Sequence, residues 1–219
     1  KAHTPGFYTT GDNNWFYADS HGRNVTGAQI INGQHLYFDA NGRQVKGGFV
    51  MNTDGSRSFY HWNTGDKLVS TFFTTGHDRW YYADDKGNVV TGAQVINGQK
   101  LFFATDGKQV KGDFATNANG SRSYYHGATG NKLVSTFFTT GDNNWYYADA
   151  KGELVVGEQT INGQNLYFDQ TGKQVKGATA VNPDGSISYY DVHTGEKAIN
   201  RWVKIPSGQW VYFNAQGKG

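Results

Sequence analysis

Tyr37, Gln44 and Lys46 are side chains that could hold a ligand between them, and the trio is repeated. It returns 65 residues later as Phe102, Gln109 and Lys111, and again as Tyr167, Gln174 and Lys176. The ring offers a flat apolar plate. The carboxamide both donates and accepts hydrogen bonds, and the ammonium brings three donors. Such a set suits a neutral ligand with one face of C–H groups and a rim of hydroxyls, as a pyranose has. Trp15, Trp80 and Trp145 recur at the same 65-residue interval and could either stack on the ligand as a second set of rings or fill the joint between successive hairpins. Trp210 continues that series, whereas Trp62 and Trp202 fall outside it and read as packing residues.

The elements that must position these groups also repeat. Aromatic pairs fall at Phe16-Tyr17, Tyr37-Phe38 and Phe59-Tyr60, then Tyr81-Tyr82 opens the next copy, in steps of 21, 22 and 22 residues. Each 65-residue repeat is therefore three related elements: a tryptophan hairpin, a Gln-x-Lys hairpin and an Arg-Ser hairpin. A fixed internal period of this size marks a stacked-repeat architecture. Within an element, a short alternating run such as His35–Phe38 meets a turn cluster, Asp39-Ala40-Asn41-Gly42, and a second run around Val45 that closes at Gly47. Alternation around Asn-Gly and Asp-Gly turns signals a β-hairpin. No stretch shows helical periodicity, so the chain is expected to be all-β, a β-solenoid of stacked hairpins.

Strand parity then assigns faces. Leu36 and Phe38 share one face, and His35 and Tyr37 the other. If Val45 joins Leu36 and Phe38, Gln44 and Lys46 fall on the face of Tyr37, and the trio converges. The bland alternative is that Gln and Lys solvate a strand while Tyr packs on the next hairpin. The Gln/Lys pair is confined to one hairpin class, however. The equivalent positions hold Asn24 and Thr26 in the tryptophan hairpin, and Lys67 and Val69 in the Arg-Ser hairpin.

Composition narrows the function further. Hydrophobic residues make up only 37% of the chain, so the aromatics, 16% of it, must carry most of the burial. That suits hairpins packing on their neighbours, with stability a sum of nearest-neighbour interfaces. A net charge of +2 with evenly spread basic residues disfavours nucleic acid or an anionic membrane surface as partner. The absence of cysteine excludes disulfides and thiolate metal sites. No apolar run approaches membrane-spanning length, and neither metal nor cofactor is expected. Three repeats, residues 7–71, 72–136 and 137–201, precede a partial fourth at 202–219, with 1–6 as linker or cut end. The chain reads as a piece of a longer protein.

The segments Ile31-Asn32-Gly33-Gln34-His35-Leu36-Tyr37-Phe38-Asp39 and Gly42-Arg43-Gln44-Val45-Lys46-Gly47 resemble the cell-wall-binding or choline-binding repeat superfamily. From Phe7 onward the chain is more closely similar to the glucan-binding repeats of bacterial glucansucrases, with Asn162–Asp169 and Gly172–Gly177 carrying the likeness most clearly. That resemblance implies a solenoid with about three hairpins per turn. It implies pockets where Tyr37, Phe102 or Tyr167 stacks on glucose while the Gln and Lys hydrogen-bond it. It implies a secreted or cell-surface bacterial module that binds α-glucan, dextran and isomalto-oligosaccharides included, beside a catalytic domain of the same parent chain acting on sucrose. Departures occur in the third copy, where Glu158 replaces Ala28 and Ala93, Ile187 replaces Arg57 and Arg122, and Asp191 replaces His61 and His126.

Other classes make different demands. A choline or teichoic-acid module needs a cage of two or three electron-rich rings, yet Ala28, Ala93 and Glu158 stand where choline repeats resemble Gly-Trp. A glycosidase needs two carboxylates facing each other across a cleft. Asp19, Asp39, Asp84, Asp149 and Asp169 all sit in turn clusters, where backbone hydrogen bonding accounts for them. No catalytic motif is expected in this segment. A host-glycan receptor module and an inert spacer complete the alternatives.

Overall fold

The computed structural model describes residues 2–219, which form two compact units divided between Gln109 and Val110. Every described strand is short and pairs antiparallel with a single neighbour in sequence. The first unit holds hairpins Gly6–Thr9/Trp15–Ala18, Gly27–Ile31/Gln34–Phe38, Gly48–Met51/Arg57–Tyr60, Thr71–Thr74/Trp80–Ala83 and Gly92–Ile96/Gln99–Phe103. The second holds Asp113–Thr116/Arg122–Tyr125, Thr136–Thr139/Trp145–Ala148, Gly157–Ile161/Gln164–Phe168, Ala178–Val181/Ile187–Tyr190 and Arg201–Lys204/Trp210–Phe213. Residues ahead of Phe7 pack on the first hairpin: the His3 ring stacks on Tyr8 at 4.4 Å, and the His3 backbone N–H donates to the Gly22 carbonyl.

The chain is all-β as expected, but the hairpin boundaries are shifted. In the Gln-x-Lys element the ladder closes at Asn32-Gly33, both in the left-handed region (φ 53° and 79°), as a two-residue type I′ turn requires. The Asp39–Gly42 cluster is a second turn. Its Asp39 carboxylate accepts from the Asn41 and Arg43 amides at 2.9 Å each, and the run after it retains one bridge, Phe38 to Gln44. Each element is thus a hairpin followed by a turn and a single bridging residue.

That bridge overturns the expected parity. Directly paired residues on antiparallel strands point to the same side, so Gln44 lies on the Leu36/Phe38 face and Lys46 follows it. Val45 falls on the Tyr37 side, its amide donating to the Tyr37 carbonyl at 2.8 Å. The reason is that the residue after each bridge serves the next hairpin. Val25 packs with Ile31, Leu36 and Phe38 of the hairpin after it, and Val155 with Ile161, Leu166 and Phe168. Val45 correspondingly reaches Gly48 at the start of the following strand.

Packing is local throughout. Leu36, Phe38, Leu166 and Phe168 are almost fully buried, each stabilising its hairpin by roughly 1.5–3 kcal/mol. Rings carry the rest. In the first unit Phe59 stacks on Phe73 at 4.7 Å, and Phe73 on Tyr81 at 5.3 Å, tying one hairpin to the next.

Candidate functional site

One kind of backbone hydrogen bond recurs at seven junctions. A bridging residue donates its N–H to the carbonyl of the first or second residue in the second strand of the preceding hairpin. In the first unit Gln44 donates to Trp15 at 2.7 Å, Lys67 to His35 at 2.9 Å, Val89 to Arg57 at 2.7 Å and Gln109 to Trp80 at 2.7 Å. In the second, Leu154 donates to Arg122 at 2.8 Å, Gln174 to Trp145 at 2.7 Å and Lys197 to Asn165 at 2.9 Å. Four of these bonds border a groove, at Val89, Leu154, Gln174 and Lys197, and there a glycine turn from the element that follows lies against the bridging side chain. Gly65 lies against Gln44, and Gly195 against Gln174. Both glycines have φ near +75°, and a Cβ at either would collide with the glutamine amide. The junctions share a backbone and differ in the side chains they carry.

The tryptophan junction is the candidate site. In the second unit it encloses an open pocket of about 280 Å³ lined by Phe137, Trp145, Gln164, Leu166, Gln174, Lys176 and Thr194. The Lys176 ammonium stands 5.4 Å from the centre of the Trp145 ring. In the first unit Lys46 holds the same 5.4 Å relation to Trp15. Gln44 and Gln174 are buried, at 7% and 6% exposure, and the Gln44 amide makes a long 3.5 Å contact with the Thr64 carbonyl. An aromatic plate, a buried amide and an ammonium therefore line one concave surface.

Gln and Lys do converge, but on tryptophan. Tyr37 and Tyr167 occupy the opposite strand face, where their rings tilt against Tyr60 and Tyr190 at 5.9 and 5.5 Å. Burial raises the Tyr60 and Tyr190 pKa values, and the facing Tyr37 phenol contributes at Tyr60. At Tyr190 the Glu158 charge and then Tyr167 add to the effect of burial. The middle trio is divided between the units: Phe102 and Gln109 belong to the first, Lys111 to the second. Trp62 and Trp202 are 47% and 63% exposed, and Trp62 lies against Phe59 and Gly47.

Sequence reasoning missed Phe137, Gln164, Leu166 and Thr194. A signal was present. All seven pocket residues have identical counterparts in the first copy (Phe7, Trp15, Gln34, Leu36, Gln44, Lys46, Thr64) and in the second (Phe72, Trp80, Gln99, Leu101, Gln109, Lys111, Thr129). The tyrosine position changes to phenylalanine in the second copy.

Successive hairpins joined by one recurrent bond, each lending a wall to a groove, define a repeat-built binding module. The Choline-binding repeat family matches residues 25–72, 90–137 and 155–202, more than half of the chain, which belongs to that family. The Putative cell wall binding repeat matches 70–89, 135–154 and 200–218. Among curated relatives, Glucosyltransferase-S of Streptococcus mutans serotype c is 39% identical over 93% of this chain. Glucosyltransferase-I of the same organism is 45% identical over 87%. The chain spans only 14% and 13% of those proteins' lengths. The solved structure of choline binding protein F from Streptococcus pneumoniae with a peptidoglycan analogue shares the fold, with a TM-score of 0.60 at 17% identity over 98% of this chain and 91% of that one. A complex of CbpF with ipratropium gives 0.66 at 21% identity, over 90% and 76%.

Proposed function

We propose that the tryptophan junctions bind glucosyl units of α-glucan, α-1,6-linked dextran foremost and α-1,3-linked glucan as well. The module would serve as a non-catalytic, secreted or cell-surface part of a glucansucrase that makes glucan from sucrose. The observation that carries this reading is the pocket of Trp145, Gln174 and Lys176, with the same residues in every copy. The indole takes the C–H face of the sugar, the buried amide reads its hydroxyl rim, and the flexible lysine swings its donors onto ring oxygens. Tyr37 and Tyr167 stiffen the adjoining hairpin joint in this scheme, while Trp15, Trp80 and Trp145 do the stacking. The glucosyltransferase relatives, matched over most of this chain, support the ligand class.

The grooves recur along the chain with the 65-residue period. A flexible polymer could then engage several weak grooves at once, and linkage raises avidity by about 10²–10⁴ without new contacts. Calorimetry with isomaltotriose, set beside migration in dextran-containing gels, tests this. Short sugar should bind at millimolar strength and the polymer be retained far more strongly. Equal affinity for both would falsify the multivalent reading.

Family membership favours choline as a second reading. The geometry disfavours it, because a quaternary ammonium seeks the face of an electron-rich ring and Lys176 already places a cation beside Trp145. Elution from a choline resin by free choline would reverse the assignment.

A further inference from the structure

The Arg-Ser hairpins carry a second groove of the same construction and different chemistry. Arg57 opens the second strand of its hairpin as Trp15 does, Val89 is the bridging residue that donates to it, and Gly107 is the closing turn. The groove has a volume of about 380 Å³, with Ser56, Thr91, Thr105 and Asp106 among its lining side chains. In the second unit the residues 65 positions on rebuild it around Arg122, at about 240 Å³, with Ser121, Leu154, Gln170 and Thr171.

Both guanidiniums are held in one pose. Arg57 lies over the Phe49 ring at 4.2 Å and Arg122 over Phe114 at 4.3 Å. Each donates one N–H to a carbonyl of the far turn, Asp106 and Thr171 respectively. Among the described residues neither has an ion-pair partner. An arginine carries five N–H donors, so most remain for a ligand, on a plane already fixed by the ring beneath. Hydroxyl, carboxamide and guanidinium groups over an apolar floor of Val89 or Leu154 suit a ligand that both donates and accepts. The Asp106 carboxylate in the first groove would repel an anion, and no acid lines the second. The chemistry common to both is a neutral polyhydroxyl ligand.

We infer that the Arg57 and Arg122 grooves are a second class of sugar site, beside the tryptophan grooves. This rests on the proposed function for the ligand class and adds sites to it. Ile187 stands at the equivalent position of the third copy, which lacks the guanidinium.

Nitrogen-detected or proton–nitrogen NMR of the arginine Nε–Hε groups tests it, with Arg57→Lys and Arg122→Lys each deleting one signal for assignment. Isomaltotriose at millimolar concentration should shift both signals saturably, in the intact protein and in a Lys46→Ala, Lys111→Ala, Lys176→Ala variant. Shifts confined to the side-chain amides of Gln44 and Gln174 would leave the proposed function standing and overturn this inference. Arginine shifts produced by inorganic phosphate and not by sugar would overturn it in favour of an anion site. No shift in either set would remove both readings.

Discussion

The Trp145 and Asn165 junctions have the same backbone bond and opposite outcomes. At Trp145 the lysine lies two residues past the bridge and leaves an open pocket of about 280 Å³. At Asn165 the lysine is the bridging residue itself. Lys197 runs its stem beneath Gly217, pairs with Glu158 at 2.9 Å and leaves only about 130 Å³. Lys67 does likewise in the first unit, lying against Gly87 and reaching the Lys86 carbonyl. A lysine at the bridge is a plug, and two residues later it is a wall.

This contrast can be broken in stages. Replacing Trp15, Trp80 and Trp145 together by alanine should cost the whole avidity gain, about 100-fold or more in dextran retention, with the β-sheet circular dichroism retained. Gly195→Ala should both close the pocket and destabilise the second unit. A left-handed residue with a Cβ costs roughly 1–2 kcal/mol, before the collision with Gln174, so differential scanning calorimetry should show a lowered melting temperature beside lost sugar binding. Lys176→Ala removes charge-assisted hydrogen bonds and should weaken isomaltotriose at that groove by about tenfold, measured by calorimetry. Glu158→Ala frees the Lys197 plug. Its carboxylate side chain is 55% exposed, so the stability change should stay below about 1 kcal/mol, while a new weak sugar site at Asn165 would sharpen the comparison.

The smallest effect concerns pH. The folded-state pKa values of Tyr60 and Tyr190 are raised, mainly by burial. Unfolded tyrosine ionises near pH 10, so the unfolded chain releases these protons first and stability falls as pH rises above about 10. Thermal melts at pH 8 and pH 11 check the sign. Asp184 behaves oppositely. Its pKa is lowered by Lys218 and then by Ser186, so that contribution fades as pH drops below the usual carboxylate range, and added salt should mask it.

Much of this architecture is legible in the sequence. The period, the hairpin class and the singular Gln/Lys pair follow from spacing and turn residues alone. The face assignment failed at one residue. Alternation treats a hairpin as self-contained and so assigns Val45 to its own hairpin. In a stack the apolar residue past the bridge belongs to the hairpin ahead, as Val25 and Val155 show. That single reversal moved Gln44 and Lys46 from tyrosine to tryptophan. Thr64 and Thr194 recur with the period, but they come from a third element, and no pattern within one hairpin assigns them to a groove built by another.

The three-element wall sets the arithmetic of valency. A groove that draws Trp145 from one hairpin, Gln174 from the second and Thr194 from the third is incomplete in any fragment shorter than that span. If the proposed function holds, the smallest piece that binds sugar should span residues 137–195, and a lone hairpin of any class should be inert. Binding capacity should rise with chain length in steps, each arriving two hairpins after the tryptophan that begins it.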